Sequence, residues 1–181
     1  MAHRFVGLSF LLALAAAAPP PPGPCDILVA AGAPCVAAHS TTRALYAAFA
    51  GALYAVRRGS DNATLDIAPL TPGGAADAAR QDAFCRGAAC AILRIYDQSP
   101  RGNHLAVAGG GTNSPQPDAP VDAARAPAAL AGGAARVYGA YFAGHEGYRN
   151  DTTSGVPTGN APEVLVAVFG GRVYNDRCCL D

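Results

Sequence analysis

The sequence predicts an all-β protein of the sandwich type, and three observations carry that expectation. Short runs of strand-forming residues recur along the chain, turn-forming Gly and Pro clusters separate them, and a single stretch carries a helical pattern. Regularly spaced short strands with such turns favour a β-sandwich over an α/β fold.

The elements follow in order. Arg4, with His3, makes a short positive region, and Phe5 to Ala17 is an apolar stretch ending in small residues. This is the pattern of a secretory signal peptide over residues 1–18, cleaved near Ala18, and it is too short to span a bilayer. Pro19 to Pro24 reads as a stiff, extended spacer. Candidate strands are Leu53 to Arg57, Thr64 to Ala68, Ala91 to Tyr96, Arg136 to Phe142 and Val164 to Phe169. Each runs into a turn: Gly59-Ser60-Asp61-Asn62, then Pro72-Gly73-Gly74, Asp97 to Asn103, Gly144 to Gly147, and Gly170-Gly171. Gly74 to Phe84, rich in Ala, is the helical segment. Gly109 to Pro127 is of low complexity, and its Pro and Ala content predicts a long surface loop. The chain closes on Arg177-Cys178-Cys179-Leu180-Asp181, and a terminus inside a cysteine-bearing motif is read as a truncation.

The 181 residues suggest one domain or a piece of a larger one, and 51% are hydrophobic with no Trp. Small side chains bury little area each, so the core must lean on scattered Leu, Ile, Val, Phe and Tyr. Thirteen basic and thirteen acidic residues cancel and are spread along the chain. That excludes a nucleic-acid footprint and a polybasic membrane patch, both of which need clustered Lys and Arg. Two sequons, Asn62-Ala63-Thr64 and Asn150-Asp151-Thr152, mark Asn62 and Asn150 as candidate glycosylation sites in an exported protein.

Six cysteines in an exported chain read as three disulfides. Cys25 and Cys35 lie close together, as do Cys85 and Cys90, and local pairing would staple two short loops. Six cysteines allow fifteen pairings, so spacing selects none of them. Neighbouring Cα atoms sit about 3.8 Å apart, below the usual disulfide window of about 4.4–6.8 Å, so a Cys178–Cys179 bond is strained. Strain of this kind tends to sit at functional sites, but spacing by itself favours pairing of each elsewhere. The histidines show no metal-ligand spacing, and no metal or cofactor is expected.

In Ile95 to His104, Asp97 and His104 could form an acid/base pair, although such a cluster more often is a hydrogen-bonded turn. His39 could serve Ser40, yet no nucleophile-elbow pattern surrounds that serine, which favours a structural role. Glycoside hydrolysis usually needs two carboxylates at defined separations. Glu146 and Glu163 are the only glutamates, most aspartates fall in turns, and Asp176 and Asp181 flank the cysteine pair, so no catalytic pair is selected.

Several stretches together resemble the catalytic domain of the fungal α-L-arabinofuranosidase B enzymes, glycoside hydrolase family 54. They are Gly23 to Asp26, the long block Pro34 to Tyr46, Arg58 to Asp61, Ile67 to Leu70 and Gln81 to Cys85. Tyr96 to Leu105, Gly147 to Asn150, Ala161 to Glu163 and Tyr174 to Cys179 complete the set, in order from Gly23 to the end. The resemblance implies a concanavalin-like, jelly-roll type β-sandwich, here incomplete, with disulfides Cys25–Cys35, Cys85–Cys90 and the vicinal Cys178–Cys179. It also implies that the vicinal pair forms a flat apolar surface against which an arabinofuranose ring packs, making Cys178 and Cys179 the candidate substrate contacts.

The implied activity is retaining hydrolysis of terminal α-L-arabinofuranosyl groups from arabinan or arabinoxylan. The resemblance puts a glutamate nucleophile, an aspartate acid/base and an arabinose-binding β-trefoil domain C-terminal to the cysteine pair. No residue of this chain is therefore assigned a catalytic role, and the chain by itself is expected to be inactive. The expected partner is an arabinose-containing plant polysaccharide, and the complete protein is expected to be a monomer. Two other readings stand beside the enzyme: an inactive sugar-binding or vestigial sandwich, and a cysteine-stapled cell-wall component.

Overall fold

The structure, a computed structural model, describes residues 20–111, 115–130 and 135–171. Its first element is a helix, α1 (Pro24–Ala30), which begins inside the stretch read as spacer. Pro24 suits the first helical position because its missing N–H would have no intrahelical acceptor there. The Asp26 carboxylate accepts from the Gly23 N–H at 2.7 Å and from the Ala47 N–H at 2.6 Å, tying the helix start to the segment that follows. A side chain on Gly23 would collide with the Leu45 carbonyl, so only glycine permits this approach.

Five strands form one antiparallel sheet in the order β2-β1-β3-β4-β7. They are β1 (Tyr54–Arg58), β2 (Thr64–Ile67), β3 (Cys90–Ile95), β4 (Leu105–Val107) and β7 (Tyr148–Arg149). The β1–β2 hairpin pairs Tyr54 with Ile67 and Arg57 with Thr64, and its turn is braced by the Arg58–Asp61 ion pair. The central pair, β1 with β3, shifts register between Ala55 and Val56, as at a β-bulge. A second sheet pairs β5 (Ala126–Ala129) with β6 (Arg136–Gly139). Val137 of β6 is fully buried in one cluster with Leu53, Tyr54, Val56, Ile67 and Ile92, so the two sheets share a core. Burial of each such side chain contributes about 1.5–3 kcal/mol.

Helix α2 (Ala78–Phe84) is shorter than the segment expected from composition. Asp77 caps it by accepting from the Arg80 N–H at 2.9 Å. Its buried Gln81 accepts from the Tyr54 hydroxyl at 2.7 Å and donates to the Ala123 carbonyl at 2.8 Å, joining helix and core through satisfied polar groups.

Two expectations are corrected. The Gly109 to Pro127 stretch is not wholly a surface loop. Val121 and Ala123 are fully buried, and Ile92 N–H donates to Val121 while Ala123 N–H donates to Cys90, both at 2.9 Å. Alanine covers core without alternating apolar and polar positions, so no strand period betrays it. Residues 164–169, expected as a strand, form no ladder. The run has no regular secondary structure, and Val168 is 96% exposed. A strand is defined by neighbours that pair its N–H and C=O groups, and among the described residues this run has none.

Candidate functional site

The site begins with the cysteines. Cys25 is bonded to Cys35 and Cys85 to Cys90, with Cα separations of 5.7 and 5.8 Å. The first bond fastens α1 to the loop that follows; the second fastens the end of α2 to the start of β3. Cys178 and Cys179, the candidate substrate contacts, lie outside the described residues, as do Asp176 and Asp181.

The densest polar constellation surrounds Asp97, just past the end of β3. Its carboxylate accepts from the backbone N–H of Ala38 and Ser99 at 2.8 Å, from the Ser99 hydroxyl at 2.6 Å and from the Asn103 N–H at 2.8 Å. Burial by itself would raise the Asp97 pKa, but these donors outweigh it and hold the carboxyl below the ordinary carboxylate value. Ser99 and Asn103 extend the network: both donate to the Val36 carbonyl, and Asn103 exchanges two bonds with the Ser154 backbone at 2.7 and 2.9 Å. Gln98 joins it to the next loop by accepting from the Leu45 N–H at 2.6 Å.

This constellation is a hydrogen-bonded turn. His104 Nδ1 accepts from the Asp97 backbone N–H at 3.0 Å and does not engage its carboxylate, so the two form no acid/base pair. His39 Nε2 meets the Asn103 carbonyl at 2.7 Å. Ser40 Oγ accepts from the N–H groups of Thr42 and Arg43 at 3.2 Å, so it closes a turn and has no base beside it.

The remaining carboxylates are mostly committed in the same way. Asp66 accepts from the Tyr96 hydroxyl at 2.9 Å. Asp82 is paired with Arg136 and accepts from the Tyr138 hydroxyl. Glu146 accepts from the Ala143 N–H at 2.5 Å. Glu163 lies in the exposed stretch before the apolar run. Among the described residues, no three His, Cys, Asp or Glu side chains form a metal-binding group.

Two shallow depressions flank these networks. One, of about 350 Å³, is apolar and lined by Tyr46, Ala48, Phe49, Gln98, Ser99 and Pro100. The other, of about 270 Å³, contains Asp77 and Asp82. Those aspartates cap α2 and hold Arg136, so they are not a free pair for acid/base chemistry. The Asp97 turn is legible in the sequence, where Ser99-Pro100 and Gly102-Asn103 are turn-forming pairs. The reach of Asn103 to Ser154 spans 51 positions and leaves no local signal.

Two antiparallel sheets sharing one core, stapled by short-loop disulfides, define the class as a disulfide-stapled β-sandwich. Residues 24–181 match the family model described as alpha-L-arabinofuranosidase B, catalytic, and the chain belongs to that family. A probable alpha-L-arabinofuranosidase B of Aspergillus fumigatus is 55% identical over 163 residues, which cover 88% of this chain and 32% of the relative. The alpha-L-arabinofuranosidase B of Aspergillus niger is 51% identical over 175 residues, covering 94% of this chain and 35% of the relative. The chain thus spans roughly a third of the length of these curated relatives.

Among solved structures, an arabinofuranosidase complexed with arabinofuranosyl-α-1,2-xylobiose superposes with a TM-score of 0.71 at 50% identity. The match covers 76% of this chain and 29% of that one. A GH54 α-L-arabinofuranosidase soaked with a cyclic sulfate inhibitor matches with the same TM-score.

Proposed function

We propose that this chain is part of an exported glycoside hydrolase that releases terminal α-L-arabinofuranosyl groups from arabinan or arabinoxylan with retention of configuration. The observation that carries the proposal is the family match over residues 24–181. Support comes from the likeness to an arabinofuranosidase complexed with arabinofuranosyl-α-1,2-xylobiose. Export is supported by the leader pattern before Pro19 and by two closed disulfides, which persist in oxidising compartments.

In such a reaction one carboxylate attacks the anomeric carbon while a carboxylic acid protonates the departing oxygen. The acid, now a base, then activates water to release the sugar from the covalent intermediate. No described carboxylate of this chain is assigned either role. The contribution proposed for this chain is the framework: the Asp97 turn and the two local disulfides order the loops, and Cys178–Cys179 offers a rigid sulfur surface to the sugar ring. Sulfur gives dispersion contacts there without competing hydrogen bonds.

A second reading is favoured by the structural commitment of Asp66, Asp77, Asp82, Asp97 and Glu146: the segment is a vestigial or weakly sugar-binding sandwich that supports no hydrolysis even beside a relative's catalytic carboxylates. A chimera separates the two. Residues 24–181 replace the aligned segment of the Aspergillus niger relative, and hydrolysis of an aryl α-L-arabinofuranoside is followed, with the anomer first released read by proton NMR. Activity in the chimera with the α-anomer released first is expected. A chimera that folds and melts like the relative but does not turn over would overturn the enzymatic reading.

A further inference from the structure

We propose that Asn62 and Asn150 both carry N-linked glycans, and that these glycans stand beside the two edges that the five-stranded sheet presents among the described strands. The sheet order β2-β1-β3-β4-β7 makes β2 and β7 its edges among the described strands. Each edge strand abuts one sequon. Thr64, the hydroxyl residue of the first sequon, is the first residue of β2; Asn150 directly follows Arg149, the last residue of β7.

Both asparagines can accept a substituent without loss to the fold. Asn62 is exposed in the β1–β2 turn, in the left-handed region at φ 59°, and its backbone N–H is already satisfied by the Arg58 carbonyl at 2.9 Å. The side chain that braces this turn is Asp61, which holds Arg58 and accepts from the Ala63 N–H at 3.1 Å. Asn150 is half-buried, but only its Oδ1 is engaged, by the Thr152 N–H at 2.8 Å and the Thr152 hydroxyl at 3.3 Å. No hydrogen bond among the described residues uses the Nδ2 of either asparagine, and Nδ2 is the atom a glycan would occupy. Residues 151–155 are all exposed, so a glycan at Asn150 meets no packed wall on that side.

The donor is a polyprenyl-diphosphate-linked oligosaccharide. The asparagine Nδ2 attacks the anomeric carbon of its first sugar, the C–O bond to diphosphate breaks, and the lipid diphosphate leaves with the electron pair. The amide nitrogen gives up one proton to a base, so charge and atoms balance. An edge strand offers unpaired N–H and C=O groups to a second chain. A hydrated oligosaccharide anchored at the strand end keeps such a chain away.

This inference rests on the export reading, and the experiment separates the two. The chain is expressed in a eukaryotic secretory host twice, once with its own leader and once with a heterologous leader. Peptide N-glycosidase digestion in heavy-oxygen water followed by mass spectrometry then reads each asparagine. Expected are label at both Asn62 and Asn150, and loss of one glycan from each of the variants Asn62→Gln and Asn150→Gln. An unmodified Asn62 or Asn150 in chain that entered the lumen under the heterologous leader overturns the assignment at that residue. Glycosylation only under the heterologous leader overturns the export reading and upholds the sites.

Light scattering on glycosylated and enzymatically deglycosylated samples tests the shielding, since any other source of association is common to both. A shift toward dimers and larger species on deglycosylation is expected; identical distributions overturn the edge role.

Discussion

The backbone N–H of Asn103 donates to Asp97 Oδ2 at 2.8 Å, closing the turn that follows β3. Through Asn103 that single carboxylate orders three separate stretches, because the Asn103 side chain also holds Val36 and Ser154. A carboxylate suits the place because it accepts two donors on each of its oxygens here, whereas a neutral amide has only one accepting oxygen.

Asp97→Asn therefore replaces an acceptor by a group that presents N–H to backbone N–H. With Asp97 only 5% exposed, the loss of stability is expected to be about 2–4 kcal/mol. Asp151→Asn, at an exposed ion pair, is the control and should change stability by less than about 0.5 kcal/mol. Denaturant midpoints of both variants in the chimera described above check this.

The same residue sets part of the acid response. Its folded pKa lies below the unfolded value of about 3.9, so its stabilisation is complete above that pH and is lost as pH falls through the lowered folded value. The stability difference between wild type and Asp97→Asn should be constant near neutrality and shrink below about pH 4. A difference that instead grows on acidification would refute the assignment.

Each local disulfide should matter more the longer the loop it closes, with the logarithm of loop length. Replacing Cys85 and Cys90 by Ala is expected to cost about 2 kcal/mol, and replacing Cys25 and Cys35 about 3 kcal/mol, because the Cys25–Cys35 loop is longer. Paired denaturation curves measure both.

Alkylation of the native chain before reduction should label none of its six cysteines. Label confined to Cys178 and Cys179 would mean free thiols there and would remove the sulfur platform from the proposed function.

Residues 164–169 are exposed and apolar, so this run is expected to be an association site for the isolated chain. Val166→Lys combined with Val168→Lys should raise the soluble monomer fraction in size-exclusion chromatography. An unchanged fraction would place the sticky surface elsewhere.

The strands around the core were legible because β1, β2, β3 and β6 combine strand-forming residues with Gly- or Asp-rich turns. Helix α1 was not, since seven residues between a proline run and a glycine leave too little period to read. The burial of Val121 and Ala123 was hidden for a different reason: Ala-rich sequence looks the same in a loop and in a packed strand. The Asp97 turn was visible as a turn, but its partners Ala38, Val36 and Ser154 are distant in the chain.

By itself the sequence determined the class, the places of β1, β2, β3 and β6, and the local cysteine proximity, because these depend on residues within a few positions of one another. The resemblance of its motifs added the pairing Cys25–Cys35 and Cys85–Cys90. Tertiary structure alone decided which polar groups are satisfied, which Ala-rich stretch is core, and that 164–169 has no ladder partner among the described residues. Those outcomes depend on contacts between remote segments, and a hydrogen bond or buried face has no energy until its partner arrives.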